Sequence, residues 1–95
     1  IVCDASFIGA EKALARPLTL AAEAAELIVL IKPQFESGPR AKAKLDEKQA
    51  RRLGKETAGR LDGLAGFRAV NLIDSPLFGG AGAMEFLFHA RRLFA

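Results

Sequence analysis

The stretch Glu26-Leu27-Ile28-Val29-Leu30-Ile31-Lys32-Pro33-Gln34-Phe35-Glu36 decides how the rest of the chain is read. Its apolar core, Leu27 to Ile31, is unbroken and contains three β-branched residues. A strand with one wet face alternates, so this continuity predicts a central parallel strand covered on both faces. Lys32 follows at once, and Pro33 has no N–H to give to a ladder, so the strand ends at the lysine. A long cation then stands at the carboxyl edge of a buried sheet. That is the edge at which open α/β sheets bind their ligands.

Working outward, Ile1 to Cys3 read as an earlier strand, and Asp4 to Ser6 as its exit. Phe7 to Ala25 is rich in Ala and Leu and predicts a helix, broken near Arg16 by Pro17. A crossover of about twenty residues brings the next strand back parallel. Because the chain opens inside a buried strand with no polar leader, it is expected to be the carboxyl part of a longer protein. Downstream, Ser37 to Lys44 form a polar, basic loop with Gly38 and Pro39, long enough to serve as a flap. Asp46 and Gln49 have capping-box spacing, and Ala50, Leu53, Thr57, Leu61 and Leu64 recur at helical period. Gly54, Gly59 and Gly63 weaken this helix by roughly 1 kcal/mol each relative to alanine, and Gly66 is placed to end it. Phe67 to Ile73 predict a third strand. The turn residues Asp74-Ser75-Pro76 and Gly79 to Gly82 leave no room for another crossover, so Glu85 to Arg91 should run antiparallel. The expected order is β-α-β-α-β-β: an α/β fold with a mostly parallel sheet and an antiparallel last strand.

Composition narrows the class. At 95 residues with 51% apolar content the chain is one small domain. It contains no apolar run near the ~20 residues of a membrane-spanning helix and no basic leader, so a cytoplasmic protein is expected. The single Cys3 can form no internal disulfide and predicts a reduced core thiol, with no metal site implied. The net charge of +3 is unevenly placed: residues 40–60 carry eight basic residues against three acids. A polyanionic partner suits that excess.

An antiparallel last strand starts at the edge where parallel strands end. Asp4, Lys32 and Glu85 are therefore expected to meet on one rim, where two carboxylates could position a lysine and set its protonation. His89, inside the last strand, reads as a partly exposed sheet residue. Of the phenylalanines, Phe35 beside the lysine is the candidate for stacking on a base, and Arg40, Lys42 and Lys44 are candidate phosphate contacts.

The segments Asp4-Ala5-Ser6-Phe7-Ile8-Gly9, Ile31-Lys32-Pro33-Gln34-Phe35-Glu36, Ser75-Pro76-Leu77-Phe78-Gly79 and Met84-Glu85-Phe86-Leu87 resemble the carboxyl part of the TlyA (hemolysin-like) family of rRNA 2′-O-methyltransferases, which are similar to FtsJ enzymes. The resemblance implies the C-terminal half of a Rossmann-like, S-adenosylmethionine-dependent methyltransferase fold, with residues 1–95 as its subdomain and the cofactor-binding half upstream. It implies an rRNA (cytidine-2′-O)-methyltransferase in the full-length protein, with Asp4, Lys32 and Glu85 as catalytic residues and Asp4 also touching the cofactor. Where that family has Asn-Arg before the glutamate, this chain has Ala83-Met84. The alternative reading is a non-catalytic α/β RNA-binding or interaction module.

Overall fold

The computed structural model describes residues 1–36 and 45–92. Arg40, Lys42 and Lys44 lie outside the described residues. Four strands, β1 (Val2–Cys3), β2 (Ala25–Ile31), β3 (Arg68–Asp74) and β4 (Phe86–Arg92), alternate with helices α1 (Ala10–Leu14), α2 (Pro33–Glu36) and α3 (Glu47–Leu61). They form one sheet in the order β1-β2-β4-β3. β1 pairs parallel with β2, whereas β4 lies between β2 and β3 and is antiparallel to both. Three strands thus share one direction, but only one of the three ladders is parallel, so the sheet is mixed rather than mostly parallel. The predicted short connection after β3 explains this: β4 turns straight back along β3 and fills the place a second parallel neighbour of β2 would have taken.

Both crossovers step across the sheet in the same direction. Right-handed connections then place both helices on one face. Accordingly Ala10 and Leu14 of α1, Leu18, and Leu61 of α3 pack in one core with Leu27, Val29, Ile31, Phe86, Phe88 and Ala90. The expectation that β2 is covered on both faces is corrected here. Leu27, Val29 and Ile31 are buried, but Ile28 between them is 41% exposed. The registers Val2 to Ile28, Leu30 to Leu87 and Ile73 to Leu87 carry an apolar band across the uncovered face. A row of Glu26, Arg91 and Arg68 borders it. The two crossovers do not reverse direction, so among the described residues no helix is sent to that side.

The long helix expected over Phe7 to Ala25 is also corrected. Only α1 and a 3-10 turn at Pro17–Leu20 form, and the chain is extended at Ala21. Pro17 breaks the first segment. Beyond the 3-10 turn, the carbonyls of Ala21, Ala22 and Glu23 accept hydrogen bonds from the Arg92 guanidinium, which also donates to Ala65 O and lies 5.1 Å from the centre of the Phe67 ring. One arginine satisfies the carbonyls that further helical turns would have satisfied. The single turn α2 immediately after Lys32 was not anticipated. By contrast the capping box is present in full: Gln49 N donates to Asp46 Oδ1 at 2.8 Å, and Asp46 N donates to Gln49 Oε1 at 3.1 Å.

Candidate active site at the carboxyl edge

β2 stops at Ile31, and Ile31 is paired with Phe86 at the start of β4. Lys32 and Glu85 therefore leave their strands at the same edge, together with Asp4 beyond β1. Lys32 extends its chain along Asp4 and closes an ion pair of 2.7 Å to Asp4 Oδ1, with 13% of the lysine side chain exposed and 64% of the aspartate. The Lys32 ammonium also donates to Ser6 Oγ at 3.0 Å. Asp4 and Ser6 are two residues apart, just past the end of β1, and the bend at Ser6 leaves both side chains within reach of the lysine. At Phe7 the backbone swings into the left-handed region, φ 66°. A bulky residue is seldom found there, and this one stands at a candidate site.

Glu85 sits deeper, 7% exposed. Its Oε2 is 3.5 Å from Gln34 Nε2, a long contact from the turn α2, and its backbone carbonyl accepts from Ser75 N at 2.9 Å. Gly79 lies directly over the carboxylate: a Cβ there would come within 2.7 Å of Glu85 Cδ. Among the described residues Asp4 is the carboxylate within ion-pairing distance of Lys32, and Glu85 meets Gln34 instead. The rim thus holds two linked pairs, Asp4 with Lys32 and Gln34 with Glu85, joined through the short segment Lys32-Pro33-Gln34.

Phe35, the residue singled out for stacking, is half-buried and its ring packs against Phe7 at 4.9 Å between centroids, tilted by 51°. Phe7 is the outer ring of the pair, 89% exposed. Ser6, Phe7 and Gln34 join the rim without being among the residues expected there. The spacing of Asp4 to Ser6 was the available signal for Ser6; nothing local marks Phe7 as the exposed partner. Leu77 and Phe78, in the loop that covers Glu85, are also exposed.

Cys3 is half-buried and free, packed against the core rather than enclosed by it. Burial, and after it the Asp4 and Glu36 carboxylates, push its thiol up, while Lys32 pulls the other way. A raised thiol is a poor nucleophile, so Cys3 is a packing residue here. His89 is partly exposed on the uncovered face, with Nε2 2.7 Å from Glu26 Oε1. Among the described residues no group of three or more His, Cys, Asp or Glu side chains could hold a metal ion. No helix among them is long and apolar enough to cross a membrane.

No family model and no curated protein matches the chain. Solved structures similar over almost all of it include one from Lactococcus lactis and one from Streptococcus thermophilus. The crystal structure of a "putative hemolysin" from Lactococcus lactis is 30% identical, with a TM-score of 0.83 over 97% of this chain and 45% of that one. A second protein so described, from Streptococcus thermophilus, is 27% identical, with a TM-score of 0.76 over 96% of this chain and 34% of that one. The chain is thus hemolysin-like in fold and sequence, and it spans less than half the length of either protein.

Proposed function

We propose that this chain is the carboxyl-terminal half of a Rossmann-like, S-adenosylmethionine-dependent methyltransferase that acts on a ribose 2′-hydroxyl of ribosomal RNA. The observation that carries this reading is the Lys32 ammonium held 2.7 Å from Asp4 at the carboxyl edge, with Glu85 on the same edge. The uncovered apolar face supports it too, since a doubly wound sheet has helices on both faces and the two crossovers here step in one direction only.

Methylation of a hydroxyl asks the protein to place the nucleophile and to manage its proton. Lys32 can do the first and share in the second: its ammonium binds the 2′-oxygen and stabilises negative charge as it develops. Asp4 holds that ammonium at the rim and balances its charge. Glu85, shielded by Gly79 and turned by Gln34, adds a carboxylate on the far side of the segment. The exposed ring of Phe7, backed by Phe35, offers a platform on which a base can stack. Asp4 is largely exposed and anionic, which fits contact with a cationic cofactor. Bound S-adenosylmethionine would supply the electrophilic methyl group. Arg40, Lys42 and Lys44 keep their sequence-based role as phosphate contacts.

A non-catalytic interaction module is the second reading, favoured by the exposed band of Val2, Ile28 and Ile73. Single-turnover methylation of saturating rRNA by the intact protein separates the two. Lys32→Ala should lower the rate by at least about a hundredfold, in the range for loss of a positioned proton-transfer or charge-stabilising group, and leave RNA affinity nearly intact. Replacing Arg40, Lys42 and Lys44 together should instead weaken binding and flatten its salt dependence by up to about three counterions' worth. An unchanged rate for Lys32→Ala would sink the catalytic assignment.

A further inference from the structure

A lysine ammonium has three N–H donors and no acceptor. At the rim Asp4 Oδ1 takes one of them at 2.7 Å and Ser6 Oγ takes a second at 3.0 Å. The stem of Lys32 is enclosed, with 13% of the side chain exposed, so the head cannot swing far. Two acceptors fix a tetrahedral head where one would leave it free to rotate about the bond to its partner. With both in place the direction of the remaining N–H is set. We infer that Ser6 is a positioning residue for Lys32: together with Asp4 it aims the one remaining N–H of the ammonium at the oxygen of a bound hydroxyl substrate.

The inference rests on the methyl-transfer reading for its substrate, but the geometry behind it is independent of that reading. Asp4 alone neutralises the charge of Lys32 and needs no help to do so. What the hydroxyl adds is direction. The local backbone brings both acceptors to the lysine, with Ser6 in a bend just past the strand exit and the left-handed residue Phe7 following immediately.

The test compares the intact protein with Ser6→Ala, Ser6→Thr and Lys32→Ala. In single-turnover methylation at saturating rRNA, Ser6→Ala should slow the reaction by about tenfold to a hundredfold, the size of a lost hydrogen bond to a charged group. RNA affinity should be unchanged, and Ser6→Thr, which keeps the hydroxyl, should recover most of the rate. Ser6 is exposed, so the thermal midpoint should hardly move. A second readout needs no activity: the proton-exchange rate of the Lys32 ammonium, followed by NMR in lysine-labelled protein, should rise in Ser6→Ala and return toward the parent value in Ser6→Thr. If Lys32→Ala is inactive while Ser6→Ala matches the parent in rate, the positioning role is overturned and the functional reading stands. If the parent transfers no methyl group, the functional reading fails and the exchange rate alone decides. An ammonium that exchanges equally fast with and without the serine then overturns the inference.

Discussion

Glu36 shows how one residue can serve a site it does not belong to. It closes the stretch that opened the reading of this chain, yet its side chain is only 4% exposed and is turned back toward α1. There Oε2 accepts the Ala10 N–H at 2.7 Å, and Oε1 lies 3.6 Å from the Arg60 guanidinium. α1 begins after Gly9, which has no side chain to cap it, so a carboxylate from 26 residues away does so. The same bond pins α2, and with it Lys32 and Gln34, against the start of α1. Glu36→Ala leaves a partly buried N–H without a partner and should destabilise the fold by about 1–3 kcal/mol. Glu36→Gln, whose amide oxygen still accepts from Ala10, should cost less. Urea unfolding of the two variants beside the parent checks the order; equal losses would mean that charge, not the cap, is what matters.

At the scale of the element, α3 carries two glycines with opposite meanings. Gly54 is buried, and a Cβ there would come within 2.7 Å of the Phe86 ring, so the helix approaches β4 at a distance only glycine allows. Gly59 has open space around its Cα. Gly54→Ala should therefore destabilise by about 1–3 kcal/mol through overpacking. Gly59→Ala should stabilise by up to about 1 kcal/mol through helix propensity. Thermal or urea midpoints give the signs, and a shift in the same direction for both would refute the packing argument. Nothing in the local sequence distinguishes these glycines, because the difference is made by Phe86, 32 positions on. The same division runs through the fold. Several readings that rest on neighbours hold: the Asp46 and Gln49 capping box, the end of β2 ahead of Lys32 and Pro33, and the antiparallel return of Glu85 to Arg91. Readings that need a distant partner do not: the helix over Phe7 to Ala25 yields to Arg92, and the covered second face of β2 to two crossovers that step across the sheet the same way. At the rim, strand direction alone was enough to put Asp4, Lys32 and Glu85 on one edge, but which carboxylate meets the lysine depends on α2, a turn that has no local signature.

Taken whole, the molecule is a sheet with a packed face and an open one, and lateral ties outside the core do part of the work of holding its strands in register. Glu26 on β2 accepts from His89 and Arg91 on β4, and Arg51 on α3 makes a two-pronged contact with Asp74 at the end of β3, both bonds 2.9 Å. These contacts hold both carboxyls below their ordinary values. For Glu26 the His89 hydrogen bond leads, followed by Arg91; for Asp74 the leading cause is the Arg51 hydrogen bond. A carboxyl depressed in the folded state binds its proton more readily when unfolded. Its contribution is thus complete above the unfolded values of 4.5 for Glu26 and 3.8 for Asp74, and it is lost as the pH falls through the lower folded ones. Both groups are exposed, so the effect is modest and should shrink in salt. Urea midpoints of the parent and of the double variant Glu26→Gln, Asp74→Asn, measured from about pH 7 to about pH 3 at low ionic strength, test this. The parent should lead by most at neutral pH, and the gap should narrow as the pH falls below the unfolded values toward pH 3, where protonation begins to remove from the parent what mutation removed from the variant. A gap that stays constant across the range would show that these ties carry no proton-linked stability and that register is kept by the packed face alone.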